Sequence, residues 1–342
     1  MMTVGENIAE YRRRRGWSQQ HLARLLGVSR QTVVALEGDQ RLPHLALAVK
    51  LAAALELSLE TMTASLQTAE DSPPAVSVTW LHGTAPLRSG PAVWSMVREH
   101  LIAVPCSSLA SVGHPDCWWD AEAQRLIALP ESRPPERVLL VGGCDPFLPW
   151  AKEAFRRQHA GYWLEPVRLS SQAALLALKA GQLAAAGTHL YDDASRSYNR
   201  VQPFLPFDIC QIPYLQWEEG MMRRPPTASP PRTWAIREPG SEAHALFYRQ
   251  APSGHDADII VIPSHQGIVD SVVSGTRSAG VGLGSLAVLA GLEFEPWATE
   301  TYEWIVRAED QQADWFKRWQ SALHAPGLDA AYKRLPFVRR VD

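Results

Sequence analysis

Gly16-Trp17-Ser18-Gln19-Gln20-His21-Leu22-Ala23, followed by Gly27-Val28-Ser29-Arg30-Gln31-Thr32-Val33-Val34-Ala35-Leu36-Glu37, spells two short helices joined by a tight turn. Ser18 and Ser29 stand where N-caps belong, and Gly27 supplies the positive φ that the turn needs. Leu22, Leu25 and Leu26, then Val33 and Leu36, then Leu47, Leu51, Ala54 and Leu55 keep helical spacing and read as core faces of small packed helices. This pattern predicts a major-groove reader. Arg30, Gln31 and Thr32 then occupy the first turn of the recognition helix, with Ser29 at its cap, where side chains reach base edges. Gln19 is expected to meet a phosphate from the start of its own helix, and Arg41 to touch the backbone from the following loop.

The remaining sequence looks different. The chain has 342 residues, 46% hydrophobic and 20% charged, enough to bury a core in each of two domains besides the small head. Its net charge is −3, yet residues 1–50 carry eight cationic side chains against four acidic ones, a balance of +4 that leaves −7 elsewhere. A basic head on an acidic body predicts a phosphate-facing module joined to one that does not meet DNA. Apolar runs such as Leu45 to Leu55 and Ala173 to Leu178 are interrupted or too short to span about 30 Å of hydrocarbon. Arg12 to Arg15 lie in an amphipathic helix with no export-signal pattern, so a cytoplasmic protein is expected. Cys106, Cys117, Cys144 and Cys210 fall at no metal-type spacing and read as packing residues. No cofactor and no metal are expected.

Between Thr63 and Pro74 the chain turns polar and ends in Asp71-Ser72-Pro73-Pro74, a stiff linker. The expected division is a DNA-binding domain over 1–65, a linker and accessory segment over 66–136, and a ligand-binding domain over 137–342. Further breaks are marked by Glu131-Ser132-Arg133-Pro134-Pro135-Glu136, and by Arg223-Arg224-Pro225-Pro226 with Ser229-Pro230-Pro231. The accessory segment shows strand-like runs at Val76–Trp80 and Arg125–Leu129 and reads as packing or a dimer surface.

From Arg137 short β runs alternate with helices. Strands are predicted over 138–143, 162–169, 183–187, 232–237, 258–262 and 279–283, and helices over 149–159, 172–180, 241–250 and 265–274. A long irregular segment lies in the middle, between the strands at 183–187 and 232–237. The pattern is that of two α/β lobes rather than one barrel. Ligands in such sheets sit beyond the carboxyl ends of the strands. The residues there are Cys144-Asp145, Ser170-Ser171, Thr188-His189, Gly240-Ser241-Glu242 and Ser264-His265. Each alone serves as a helix cap; around one cleft they make a binding site. The candidate ligand contacts are Asp145, Ser170, Ser171, Thr188, His189, Ser241, Glu242, Ser264 and His265.

Ser-Gln-x-x-Leu-Ala, Gly-Val-Ser-x-x-x-Val and Leu36-Glu37-Gly38-Asp39-Gln40-Arg41-Leu42-Pro43 together resemble the XRE-type, or lambda-Cro-like, helix-turn-helix family from about Ile8 to Met62. The resemblance implies a five-helix head that binds a palindromic operator as a homodimer. Gly143-Cys144-Asp145-Pro146, Leu178-Lys179-Ala180-Gly181 through Leu190, Tyr198-Asn199, Arg237-Glu238-Pro239-Gly240-Ser241, and Val273-Ser274-Gly275 leading to Gly284 resemble the type 2 periplasmic-binding-protein fold. The likeness is to its cytoplasmic, molybdate-binding-like form, and covers about Val138 to Val306. It implies a hinged two-lobe receptor for a small solute, an oxyanion in some relatives. Where relatives often read Gly-Ser-Gly-Thr-Arg, this chain reads Gly240-Ser241-Glu242-Ala243-His244. A carboxylate at a helix start repels an anion unless turned away or protonated, so a larger polar or partly cationic ligand is expected.

The expected architecture is therefore an all-α helix-turn-helix head on an α/β two-lobe body, and the expected function a ligand-responsive, sequence-specific transcriptional regulator. Its partners would be an operator duplex and a small effector, with no membrane. Two alternatives stand beside it: a constitutive repressor whose body only dimerises, and an enzyme fused to the head. For the latter, Cys144 with His189 or His265, or Ser241 with His244, would pair nucleophile and base, with no orienting third residue in view. Self-cleavage by a Ser/Lys dyad lacks any recognisable lysine context.

Overall fold

The computed structural model describes residues 3–57, 78–81, 83–110, 113–199, 201–225, 230–251 and 258–341. The chain divides into two compact units, Met1–Val76 and Ser77–Asp342. The expected linker over 63–74, the boundary at 65 and the fifth helix of the head lie outside the described residues.

The first unit contains helices α1 (Val4–Arg14), α2 (Gln19–Leu26), α3 (Arg30–Glu37) and α4 (Leu45–Leu55). Local chemistry sets each boundary. Thr3 and Glu6 form a capping box on α1, Ser18 Oγ accepts from the His21 amide at 3.1 Å, and Ser29 Oγ from the Thr32 amide at 3.1 Å. Gly27 closes α2 at φ 70°, as the turn requires. Val4, Ile8, Leu22, Leu26, Val33, Leu36, Leu51 and Leu55 meet in one core. Leu25 does not join them: it is 53% exposed, because Leu22 and Leu26 already complete the inward stripe of this two-turn helix.

The second unit opens with a five-stranded sheet, β1 (Thr79–Trp80), β2 (Gly90–Val97), β3 (His100–Pro105), β4 (Cys117–Asp120) and β5 (Arg125–Ala128), in the order β1-β3-β2-β4-β5. Only its two ends appear as strand-like runs in the sequence. One face packs Val93, Val97, Ile102 and Val104 against Leu140, Val167 and Leu178 of the following lobe, so the two share a core. Buried charges tie the same seam. Arg133 donates to Asp116 at 2.7 and 2.8 Å and pairs with Glu165, which also holds Lys152 at 2.7 Å.

The first lobe comprises β6 (Val138–Gly143), α5 (Leu148–Gln158), β7 (Trp163–Arg168), α6 (Ser171–Lys179) and β8 (Ala185–Thr188). A short hairpin, β9 (Tyr191–Asp192) with β10 (Ser197–Tyr198), leads into the long strand β11 (Ile209–Arg223). The second lobe comprises β12 (Thr233–Ile236), α7 (Glu242–Gln250), β13 (Asp258–Val261), α8 (His265–Val273), β14 (Ala279–Leu283) and α9 (Gly284–Leu289). Strand β15 (Glu293–Arg307) returns to the first lobe, where α10 (Asp314–Leu323), α11 (Pro326–Tyr332) and β16 (Val338–Arg340) complete the chain.

The main sheet runs β13-β12-β14-β11-β15-β8-β6-β7, with β16 added on β11. Each lobe is a parallel trio, β7-β6-β8 and β13-β12-β14, and the antiparallel pair β11/β15 joins them. Two connecting strands of 15 residues are the feature that the sequence reading lacked: β11 falls in the segment read as irregular. A bulge at Tyr214 interrupts its alternation, and a second bulge, at Trp297, interrupts that of β15 opposite Glu219 and Gly220. At the second bulge a Cβ on Gly220 would lie 2.1 Å from the Glu295 carbonyl, so only glycine lets the strands close there. In both lobes the parallel strands lead into helices, β7 into α6, β12 into α7 and β13 into α8.

Candidate functional site: recognition helix and inter-lobe cleft

On the head, Arg30 and Gln31 are exposed on the first turn of α3, and Thr32 is half-buried beside them. Ser29 Oγ is occupied by capping and by Thr32 Oγ1 at 2.9 Å. Gln19 is drawn inward. Its amide donates to Glu37 Oε2 at 3.0 Å and its oxygen accepts from Arg30 at 3.5 Å. Glu37 in turn grips buried Arg12 at 2.5 and 2.9 Å, a clamp that fixes α1 to the end of α3. Arg12 holds Glu37 below the usual carboxylate range against the opposing effect of burial. Arg41 is exposed in the following loop.

In the body, the sequence-selected loop tips sort into two sets. Ser170, Ser241 and Ser264 cap α6, α7 and α8 by accepting from Ala173, His244 and Gly267 at 3.3, 3.3 and 3.0 Å. Ser170 and Ser241 also stand where the lobes touch, since the Gln172 amide donates to the Gly240 carbonyl at 3.3 Å. Glu242 belongs to this contact: it pairs with Arg249 and accepts from the Tyr191 amide at 3.0 Å. Its charge is thus neutralised by Arg249, and the repulsion of an anion expected from the sequence is correspondingly reduced.

The second set surrounds a cavity of about 270 Å³ lined by Cys144, Asp145, Arg168, Arg237, Ser264 and His265, with Gln266 at its edge. Asp145 is buried; its Oδ1 accepts from the Phe147 amide at 2.8 Å and its Oδ2 has no partner. Burial pushes this carboxyl up to about 7. Arg237, also buried, forks onto Glu238 at 2.8 and 2.9 Å. Neither nitrogen of His265 has a hydrogen bond, and burial, then Arg237, then His189 hold its imidazole well below the ordinary value. A larger cavity of about 460 Å³ sits between the accessory sheet and α10, but none of the unpartnered buried polar atoms lines it.

Behind the smaller cavity lies a chain of contacts invisible in the sequence. Cys144 Sγ is 3.1 Å from His189 Nε2, and His189 Nδ1 is 2.6 Å from Glu300 Oε2, which also accepts from Trp217 Nε1 at 3.1 Å. Cys144 is therefore more than packing. The His189 amide donates to Ser171 Oγ at 3.3 Å, fixing the loop, while Thr188 Oγ1 is buried without a partner. Tyr302 lies over β8, where a Cβ on Gly187 would fall 1.8 Å from its hydroxyl. Glu219, fully buried on β11, has no donor on either oxygen apart from what the Glu300 carboxyl beside it can offer, and His265 Nδ1 lies 3.7 Å away. Burial raises Glu300 to about 8 and Glu219 well above the carboxylate range, Glu300 adding to the latter. Burial works to lower His189, and Cys144 with Glu219 and Glu242 raises it by more.

Glu219, Glu300, Trp217, Arg237 and Tyr302 were absent from the sequence-derived site. The available signal was charge in apolar company, as in Leu215-Gln216-Trp217-Glu218-Glu219-Gly220.

Comparison with known proteins adds the following. A family model described as a PBP superfamily domain matches residues 152–324, and a helix-turn-helix model matches residues 8–62. Over 53 residues the chain is 42% identical to YgzD, an uncharacterized HTH-type transcriptional regulator of Bacillus subtilis (strain 168), which covers 16% of this chain and 80% of that protein. Among solved structures, a Clostridium perfringens protein described as a phosphate ABC-transporter substrate-binding protein superposes with a TM-score of 0.49. It is 10% identical and covers 60% of this chain and 100% of its own. The regulatory domain of MexT, a transcriptional activator in Pseudomonas aeruginosa, gives 0.42 at 14% identity over 54% and 98%. No described helix is long and apolar enough to cross a membrane. The chain belongs to the PBP superfamily through its body and to the HTH-type transcriptional regulators through its head, which makes it a transcriptional regulator with a DNA-binding head and a PBP-like body.

Proposed function

We propose that the body senses a small polar solute and that its occupancy sets how a dimer of heads engages a palindromic operator. One observation carries this reading. Buried polar atoms without partners line one cavity from both lobes: Asp145 Oδ2 beyond the end of β6, and both ring nitrogens of His265 at the start of α8, with the Arg237 guanidinium beside them. Each such atom costs roughly 1–3 kcal/mol when left unsatisfied, and a ligand that satisfies several would favour the closed arrangement of the lobes. To swing DNA occupancy from nearly complete to nearly absent, the solute must prefer one state by about 5.5 kcal/mol. Three or four hydrogen bonds to buried groups reach that figure.

Arg30, Gln31 and Thr32 are the base-edge contacts in this reading, with Ser29 beside them and Arg41 on the backbone. The Glu37 clamp leaves Gln19 as a positioning contact whose amide orients Glu37 and Arg30. The test begins with mass spectrometry of small molecules retained by the natively purified chain. DNA binding to a duplex selected by the protein from random sequence is then measured with and without each retained compound. A change of tenfold or more supports sensing; equal binding under every condition refutes it.

One observation favours a second reading. Cys144, His189 and Glu300 stand in series like nucleophile, base and orienting acid, the third member that the sequence did not supply. Cys144→Ala separates the two: regulation survives the change, whereas turnover of any retained compound does not.

A further inference from the structure

The deepest part of the cleft raises a separate question, because the cavity and the acid cluster are not the same space. The cavity of about 270 Å³ is lined by Cys144, Asp145, Arg237 and His265, whereas Glu219, Glu300 and His189 lie behind it and do not line it. All three are buried, and one ligand atom from each falls within 4.8 Å of the others. That spacing brings three potential donors together at one point.

We propose that His189, Glu219 and Glu300 bind a divalent first-row transition-metal ion, with His265 as the adjoining fourth donor. Glu219 presents two oxygens and Glu300 Oε1 a third, all buried without hydrogen-bond partners, and His265 offers two free ring nitrogens with Nδ1 3.7 Å from Glu219 Oε1. The two carboxyls lie within hydrogen-bonding reach of each other, so without a cation a shared proton must join them; a cation is the other partner that satisfies both. The donor set selects the class. Imidazole with carboxylate suits Zn²⁺ and its first-row neighbours, while Ca²⁺ and Mg²⁺ call for six or more oxygens or several retained waters. His189 Nδ1 and Glu300 Oε2, now 2.6 Å apart across a shared proton, must open by roughly 0.7 Å to reach tetrahedral spacing as the ion replaces that proton. Trp217 Nε1 donates to the same Glu300 Oε2 at 3.1 Å, and Cys144 Sγ holds the far nitrogen of His189, the outer partners that orient metal ligands.

The placement gives the ion a mechanical role. His189 follows β8 in the first lobe, His265 opens α8 in the second, Glu219 sits on β11 opposite the bulge of β15, and Glu300 faces Trp217 across the β11/β15 ladder. An ion here joins both lobes to the pair of strands between them.

The experiment uses the full-length protein, stripped with EDTA and dialysed, titrated with Zn²⁺ and separately with Co²⁺ by calorimetry. One ion per chain is expected. Glu219→Gln and Glu300→Gln keep shape and hydrogen-bonding capacity, and each is expected to weaken binding by at least about tenfold, the smallest loss common even for outer-sphere partners. Thermal melting without metal confirms that both variants are folded. Where a variant is not, His265→Gln gives the same comparison. An absence of saturable binding, or equal affinity in the wild type and all folded variants, overturns the proposal. The latter result assigns the ions to surface histidines. Binding is the readout, so this inference stands or falls apart from solute sensing.

Discussion

Asp145 is a buried carboxyl with one satisfied and one unsatisfied oxygen, and its proton should govern how the body responds to pH. Burial lifts it from 3.8 to about 7, the Phe147 amide pulling the other way, then His189 and Arg340. Cys144, Tyr214, Tyr302 and Tyr332 also face it. Because the folded value exceeds the unfolded one, the protonated carboxyl favours the fold. That stability is fully present below pH 4 and is lost as pH rises through 7. A lift of about three units at roughly 1.4 kcal/mol each gives a loss on the order of 4 kcal/mol between pH 4 and pH 8. Asp145→Asn retains an oxygen for the Phe147 amide and cannot ionise. The variant is expected to match the wild type at pH 4 and to exceed it by up to that amount at pH 8. Urea denaturation at four pH values, with chelator present throughout, measures the difference. The other buried acids contribute equally to both proteins and cancel in it. Parallel stability curves would refute the reasoning, since they would mean that Asp145 is ionised in the fold at no cost.

Gln31→Ala should leave folding within about 0.5 kcal/mol, because the side chain is exposed, and cost roughly 1–3 kcal/mol of affinity on selected DNA alone. Arg41→Ala should instead weaken all duplexes alike and lower the salt slope by about one, both read by fluorescence anisotropy over a salt series. Glu37→Ala leaves the buried Arg12 guanidinium with the Trp17 carbonyl at 2.6 Å and little else, at a cost of about 3 kcal/mol. In a head this small that is a large share of stability, so its calorimetric transition should fall well below that of the body; an unmoved transition counts against the clamp. Asp116→Ala removes the bidentate partner of Arg133 and an acceptor for the Trp94 and Arg133 amides, and should destabilise the body by about 3–5 kcal/mol in urea.

The head was legible because its information is local. Caps at Ser18 and Ser29, a left-handed glycine at 27 and spaced leucines act within a few residues of one another, and only Leu25 fell on the wrong side. The parallel strands were legible for the same reason: Val138-Leu139-Leu140-Val141 is buried on both faces and reads as a continuous apolar run. Strands β11 and β15 carry no such sign. Pro213, Gly220 and Pro296 sit inside them, one bulge shifts β11 and another β15 by a residue, and inward acids break what alternation remains. The accessory sheet hid likewise, since one face is buried by a neighbouring lobe and the other by its own tryptophans, which removes the alternation of a half-exposed sheet.

The candidate site divides along the same line. Strand-to-helix turns announce themselves through Ser and Asp; of the residues so marked, Asp145, Ser264 and His265 line one cavity, and His189 lies behind it against Cys144. Whether a side chain caps a helix or faces a ligand depends on its rotamer, which spacing does not encode; Ser170, Ser241 and Ser264 cap. Glu300 is 111 residues from His189, and only the sheet order that sets β15 beside β8 brings them together. Burying an acid in a strand paired on both sides costs several kcal/mol unless something answers its charge. Were Glu219 and Glu300 scattered through the sheet, that cost would be plain instability. Placed on adjacent connecting strands at the height of His189, the same cost becomes a preference for whatever occupant satisfies them, and the strands that carry it are the ones the lobes share.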